Sequence, residues 1–110
     1  MYSAAHPMGA TDISEDTISA LVSAAIHVGL SRRALLAGLA PAITAQLADM
    51  PRPDEQLLGD LTALREMGTL PDGTTPLQRW LKNAKLLAGP RVEARVFEAA
   101  LRALESSGHP

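Results

Sequence analysis

The chain has 110 residues, 46% apolar and 20% charged, which bounds it to one domain with a modest hydrophobic core. It contains no cysteine, which excludes disulfides, cysteine-ligated metal sites and thiol catalysis. The net charge is −2, carried by residues 1–50, while eight basic and eight acidic side chains balance over residues 51–110, so no basic field of the kind that binds phosphate backbones exists.

Alanine and leucine supply most of the apolar content, and β-branched and aromatic residues are few, which favours helices over sheet. No run approaches 18 consecutive apolar residues, so no membrane span is expected. Residues 1–12, MYSAAHPMGATD, lack the basic start and apolar centre of a signal peptide and read as a flexible lead-in.

The first helix is expected over 15–28. Ser14 or Asp12 can cap it, with Glu15 and Asp16 at the positive end of its dipole. Ile18, Leu21, Val22, Ala25 and Ile26 recur at helical spacing, and Gly29 ends the run. Ser31 caps a second helix over 31–39, with Leu35, Leu36 and Leu39 facing inward. A break near Gly38–Ala40 then places Pro41 in the first turn of a third helix, 41–49, which buries Ile43 and Leu47. One kinked helix over the same stretch is the alternative.

Met50-Pro51-Arg52-Pro53 is the clearest break in the chain. A fourth helix over 53–67 follows, with Asp54 and Glu55 in its first turn, a core stripe of Leu57, Leu58, Leu61 and Leu64, and Gly68 closing it. The string TLPDGTTP reads as a tight turn. Pro71 sets its first corner, Asp72 suits the turn, and Gly73 accepts a dihedral that other residues avoid. Leu70 is expected to plug the core from this loop.

Thr75 caps a fifth helix over 76–88, with Pro76 in its first position. Leu77, Trp80, Leu81, Ala84 and Leu87 face the core. Trp80, the only tryptophan, is expected inside with a partner for its indole nitrogen. Asn83 is expected to bond the returning loop at Gly73–Thr74. A sixth helix over 91–106 presents Val92, Val96, Phe97, Ala100, Leu101 and Leu104 on one face. Its other face carries Arg91, Arg95, Glu98, Arg102 and Glu105, with Arg91–Arg95 a like-charge pair and Glu98–Arg102 an attractive one. The result is an all-α, compact six-helix bundle over 13–106, followed by a tail or linker start at 107–110.

No chemistry-bearing constellation emerges. His6 and His109 lie in the tails, and His27 stands beside a helix end where it can meet free carbonyls, with no second ligand three or four residues away. Asp60, at the core edge, is expected to brace the Pro-Asp-Gly turn. No G-x-S-x-G elbow, glycine-rich phosphate loop or H-E-x-x-H pattern occurs. The residues therefore point away from an enzyme, and no cofactor or metal is expected. Arg79, Lys82 and Lys85, then Arg91, Arg95 and Arg102, stand apart in sequence from Glu15, Asp16 and Asp49. If these sets occupy different faces, the domain is electrostatically two-sided, which suits head-to-tail association between like domains.

The segment PDEQLLGDLTALREMGTLPDGTTPLQRWLKNAKLL resembles the effector-associated domains of bacterial conflict systems, relatives in concept of death-like and CARD-like adaptor domains. The residues that carry the likeness are Gln56-Leu57-Leu58, Asp60-Leu61, Leu64, Leu70, Asp72-Gly73, Thr75-Pro76-Leu77, Trp80-Leu81 and Asn83-Ala84. Val96-Phe97 and Ala100-Leu101 in the last helix add to it. Arg65 and Glu66 stand where that pattern would have a more asparagine-like end to helix four. The resemblance implies a death-fold-like bundle and a cytoplasmic recruitment module in bacterial defence. Such a module pairs with a like domain on itself or on another protein, often one fused to a peptidase or a nucleotide-dependent switch protein. It implies neither nucleic acid nor membrane as a partner. A small nucleic-acid-binding helical domain is the competing reading, although Arg79, Lys82 and Lys85 are sparse for a recognition helix. A non-catalytic regulatory subunit is another.

Overall fold

A computed structural model of the chain describes residues 13–68, 70 and 73–107. The lead-in at 1–12, His6, Asp72 and His109 lie outside the described residues. Among the described residues six helices follow one another: α1 (Glu15–Val28), α2 (Arg32–Leu35), α3 (Pro41–Thr44), α4 (Pro53–Glu66), α5 (Pro76–Ala88) and α6 (Ala94–Ser107). Among the described residues there is no strand.

Local chemistry sets most of the helix starts. Ser14 accepts from the Thr17 backbone N–H, and Ser31 from that of Ala34, so serine oxygens satisfy donors at the free ends of α1 and α2. Ile13 and Ile18 are both buried, at the two positions of a hydrophobic staple around the Ser14 cap. Thr75 and Gln78 form a reciprocal capping box. The Thr75 hydroxyl accepts from the Gln78 backbone N–H at 3.2 Å, and the Gln78 side-chain oxygen accepts from the Thr75 backbone N–H at 2.8 Å. Pro41, Pro53 and Pro76 all occupy first helical turns.

The break between α2 and α3 falls where the sequence places it, but both helices are only four residues long. Gly38 adopts φ +85°, a left-handed conformation that stops helix propagation within one turn of Leu35. Beyond Thr44 the chain continues in tighter turns, with Gln46 N–H bonded to Ile43 O and Leu47 N–H to Thr44 O. At the far end of α4, Met67 is already extended with ψ 142°, so the helix closes before Gly68 rather than on it. The sixth helix starts at Ala94, not Arg91. Pro90 to Glu93 form successive turns in which Ala94 N–H reaches Arg91 O, so Arg91 and Arg95 are not the expected pair within one helix.

The four long helices close a ring: α1 lies against α4, α4 against α5, α5 against α6, and α6 back against α1. α2 packs on α5. At the centre Trp80 and Phe97 meet edge to face, with ring centroids 6.0 Å apart and planes at 68°. Leu61, Leu64, Leu77, Leu81 and Ala84 are buried with them in one core, and Leu70 packs against it from the loop as the sequence suggests. Trp80 is fully buried, but its Nε1–H has no hydrogen-bond partner among the described residues. The expected indole partner is therefore not found there, and burial against Phe97 accounts for its position.

Several apolar residues assigned to the core face solvent. Ile26, Leu58, Leu87 and Val92 are all exposed. Leu58 sits about 100° around the helix from Leu57, outside the stripe of Leu57, Leu61 and Leu64. Ile26 is likewise about 100° beyond the buried Ala25, and Leu87 the same distance short of Ala88. Val92 is outside because it belongs to the turn before α6 rather than to the helix face.

Candidate interaction surfaces

The polar residues singled out by the sequence divide into those that hold the fold and those that remain on its exterior. Asp60 belongs to the first group. It is 1% exposed and accepts a two-pronged bond from Arg32, 2.7 Å from Nε and 3.2 Å from Nη2, plus a third from Gln56 at 2.9 Å. These bonds raise the Arg32 guanidinium above its ordinary pKa, the Asp60 hydrogen bond being the largest cause. Asp60 thus ties α2 to α4, and among the described residues none of its bonds reaches the Pro-Asp-Gly turn. The reason is direction: from the middle of α4 its side chain points toward the start of α2.

Gln56 extends the same arrangement, and the sequence reading gave it no role. Its amide donates to Ala48 O at 2.8 Å and its carbonyl accepts from Met50 N–H at 2.9 Å. Those bonds satisfy the backbone that runs out of α3 into the proline break. The only advance signal is its place four residues before Asp60, on the same helix face. Asn83 is also reassigned. It donates to Leu35 O and Ala37 O, both at 2.8 Å, and so caps the end of α2 rather than bonding Gly73–Thr74. The turn closes itself instead, through Gly73 N–H to Leu70 O at 2.9 Å and Leu70 N–H to Thr74 O at 2.6 Å. Pro76 and Phe97 are buried.

The charged positions proposed for interaction are exposed, and several already have partners within the chain. Lys85 and Arg102 converge on Glu98, at 3.9 Å and 2.9 Å. Asp49 lies 3.7 Å from Arg32. Arg79 passes over Gly38, where an added Cβ would meet its side chain at 3.6 Å. Glu15 and Asp16 occupy the first turn of α1, where they offset its dipole. Lys82 and Arg95 are exposed and have no ion-pair partner among the described residues, while the exposed Arg91 helps to hold the nearby Glu93 carboxyl charged.

His27 also finds an unforeseen partner. Its Nδ1 pairs with Glu93 across the α1 end and the turn before α6. The Glu93 carboxyl is held below its ordinary value, first by its own backbone N–H and then by His27. Among the described residues no group of three or more His, Cys, Asp or Glu side chains is placed to hold a metal ion.

Two apolar features stand on the exterior. Between α1 and α4 lies an open groove of about 300 Å3, lined by Ser19, Val22, Ser23 and Ile26 on one side and Asp54, Glu55 and Leu58 on the other. Partial desolvation disfavours the charged Asp54, but the Glu55 backbone N–H and then Arg52 outweigh it and hold the carboxyl below its ordinary value. At the α5–α6 corner, Leu86 is 79% exposed and Val92 68%. Sequence reasoning missed the groove because it had placed Leu58 and Ile26 inside.

A family model described as effector-associated domain 5 matches residues 13–109, a span that takes in all six helices. The chain belongs to the effector-associated domain 5 family. An effector-associated domain is an accessory domain associated with effectors. No curated protein and no solved structure matches the chain. No helix among the described residues of this effector-associated domain is long and apolar enough to cross a membrane.

Proposed function

We propose that this effector-associated domain is a non-catalytic protein–protein interaction module that recruits an effector by pairing with a like domain. The setting is bacterial defence signalling in the cytoplasm, and the bundle is read as death-like. The carrying observation is the family match across the whole bundle. The disposition of the polar residues supports it. Asp60, Gln56 and Asn83 are engaged in holding helices together, whereas Leu58, Leu86, Val92 and unpaired cations lie outside. Apolar side chains rimmed by charge are the composition of a recognition surface.

Size-exclusion chromatography with light scattering over a concentration series tests this reading, alongside co-purification with a second protein that carries an effector-associated domain. A mass rising above the monomer, or a stable complex with the like domain, is the expected result. A strict monomer that captures no like domain would refute it.

A further inference from the structure

We propose that the α1–α4 groove is the socket for the α5–α6 corner of a second copy of this chain. This rests on the like-domain reading above and assigns it to particular side chains.

Shape gives the first argument. The groove of about 300 Å3 has room for two branched aliphatic side chains, and Ile26 and Leu58 on its walls are 45% and 47% exposed. The corner offers two such side chains, Leu86 and Val92, the most exposed large apolar residues among those described. Joining the two features removes four aliphatic side chains from water at once.

The chain cannot make this union with itself. The groove opens on the solvent side of the α1–α4 pair, while the corner belongs to the α5–α6 pair across the ring. Each feature needs another molecule.

Charge gives the second argument. Glu55 on the groove rim has no ion partner among the described residues, and beside it Asp54 carries only the exposed Arg52 at 3.3 Å. On the corner, Lys82 stands four residues before Leu86 and Arg91 directly before Val92, with Arg95 one turn further on. Lys82 and Arg95 have no ion-pair partner among the described residues, Arg91 interacts with Glu93, which also pairs with His27, and Lys85 and Arg102 share Glu98. Lys82, Lys85, Arg91 and Arg95 outnumber Glu93 and Glu98 at the corner, so its rim is net basic and complements the acidic rim of the groove; a basic groove would have spoken against the pairing. The two surfaces differ, so one copy presents its corner while the other presents its groove.

Mixing tests this. Leu58→Arg blocks the groove and Leu86→Arg blocks the corner; both positions are on helix exteriors, and a thermal melt checks that each variant folds. Should either arginine variant fail to fold, Leu58→Ser or Leu86→Ser carries the same test. Sedimentation of wild type should show self-association that weakens as salt rises. Each variant alone should associate about ten-fold or more weakly. An equimolar mixture of the two should associate more tightly than either alone, because one intact groove then meets one intact corner. If wild type associates and the folded variants match it, or the mixture gains nothing, the groove-and-corner pairing is overturned while like-domain association stands. If wild type stays monomeric at every concentration, pairing with a second copy falls outright; whether a like domain on another protein is still captured then decides the broader reading.

Discussion

The α5–α6 pair and the segment from Ser31 to Met50 are held in place by different physics. α5 starts on a capping box, carries Trp80 and Phe97 contacts across to α6, and buries Leu77, Leu81 and Ala84. Its position follows from a strict local signal and a broad apolar stripe. The segment 31–50 contains only two four-residue helices, too short to persist by themselves. Leu35, Ile43 and Leu47 are buried and Leu36 and Leu39 pack against the core, and polar side chains reach in from elsewhere: Asp60 to Arg32, Gln56 to Ala48 and Met50, and Asn83 to Leu35 and Ala37. Apolar burial fixes the first region as a unit, whereas the second adds individual hydrogen bonds from α4 and α5 to a sparser set of apolar contacts.

The largest expected effect breaks the first region. Trp80→Ala removes the ring at the centre of the core and should cost about 3–5 kcal/mol in urea unfolding, with the whole bundle losing cooperativity together. Asp60→Ala attacks the second region and should cost about 2 kcal/mol, because Arg32 keeps access to water on one side while its buried partner is lost. Amide hydrogen exchange should show where that loss falls. Protection should drop across 32–50 and remain near wild type in α5 and α6; a uniform loss would mean that the two regions are not separate.

Asn83→Ala frees two carbonyls at the end of α2 and should cost about 1 kcal/mol, again seen first as faster exchange near Ala37–Leu39. The smallest effect is electrostatic. Glu93 has a folded-state pKa below its ordinary value of 4.5, so its contribution is complete above that value and is lost as pH falls below it. Glu93→Gln should therefore flatten the acid side of the stability profile slightly and leave neutral pH almost unchanged. A variant that instead changes the profile only above neutrality would contradict the assignment.

What could be read from sequence follows the same division. The Ser14, Ser31 and Thr75 caps, the Pro41 and Pro76 starts and the inward Trp80 were all legible, because each depends on neighbours within a turn of helix. The Gln78 half of the capping box was equally local and is written in Thr75-Pro76-Leu77-Gln78. The partners of Asp60 and Asn83 were not legible. They lie 28 and 48 residues away, and nothing near either residue indicates the direction of its side chain. Leu58, Ile26 and Leu87 were misplaced because periodicity gives a face about 100° wide without saying where its edge falls. Val92 was misplaced because Gly89-Pro90 delays α6 by three residues. Those same errors concealed the exterior apolar features, which became visible only once the true edges of the core were known. Family membership adds an accessory role with effectors.

The central claim is that the aromatic core is closed within each copy and that recognition uses only the exterior. A concentration series of two-dimensional 15N–1H spectra tests it most directly, since the single indole N–H of Trp80 reports the core while backbone amides report the surface. The indole peak should stay fixed and slow to exchange as concentration rises, while the amides of Ile26, Leu58, Leu86 and Val92 shift together. Movement or rapid exchange of the indole peak on association, with those four amides unchanged, would contradict the account.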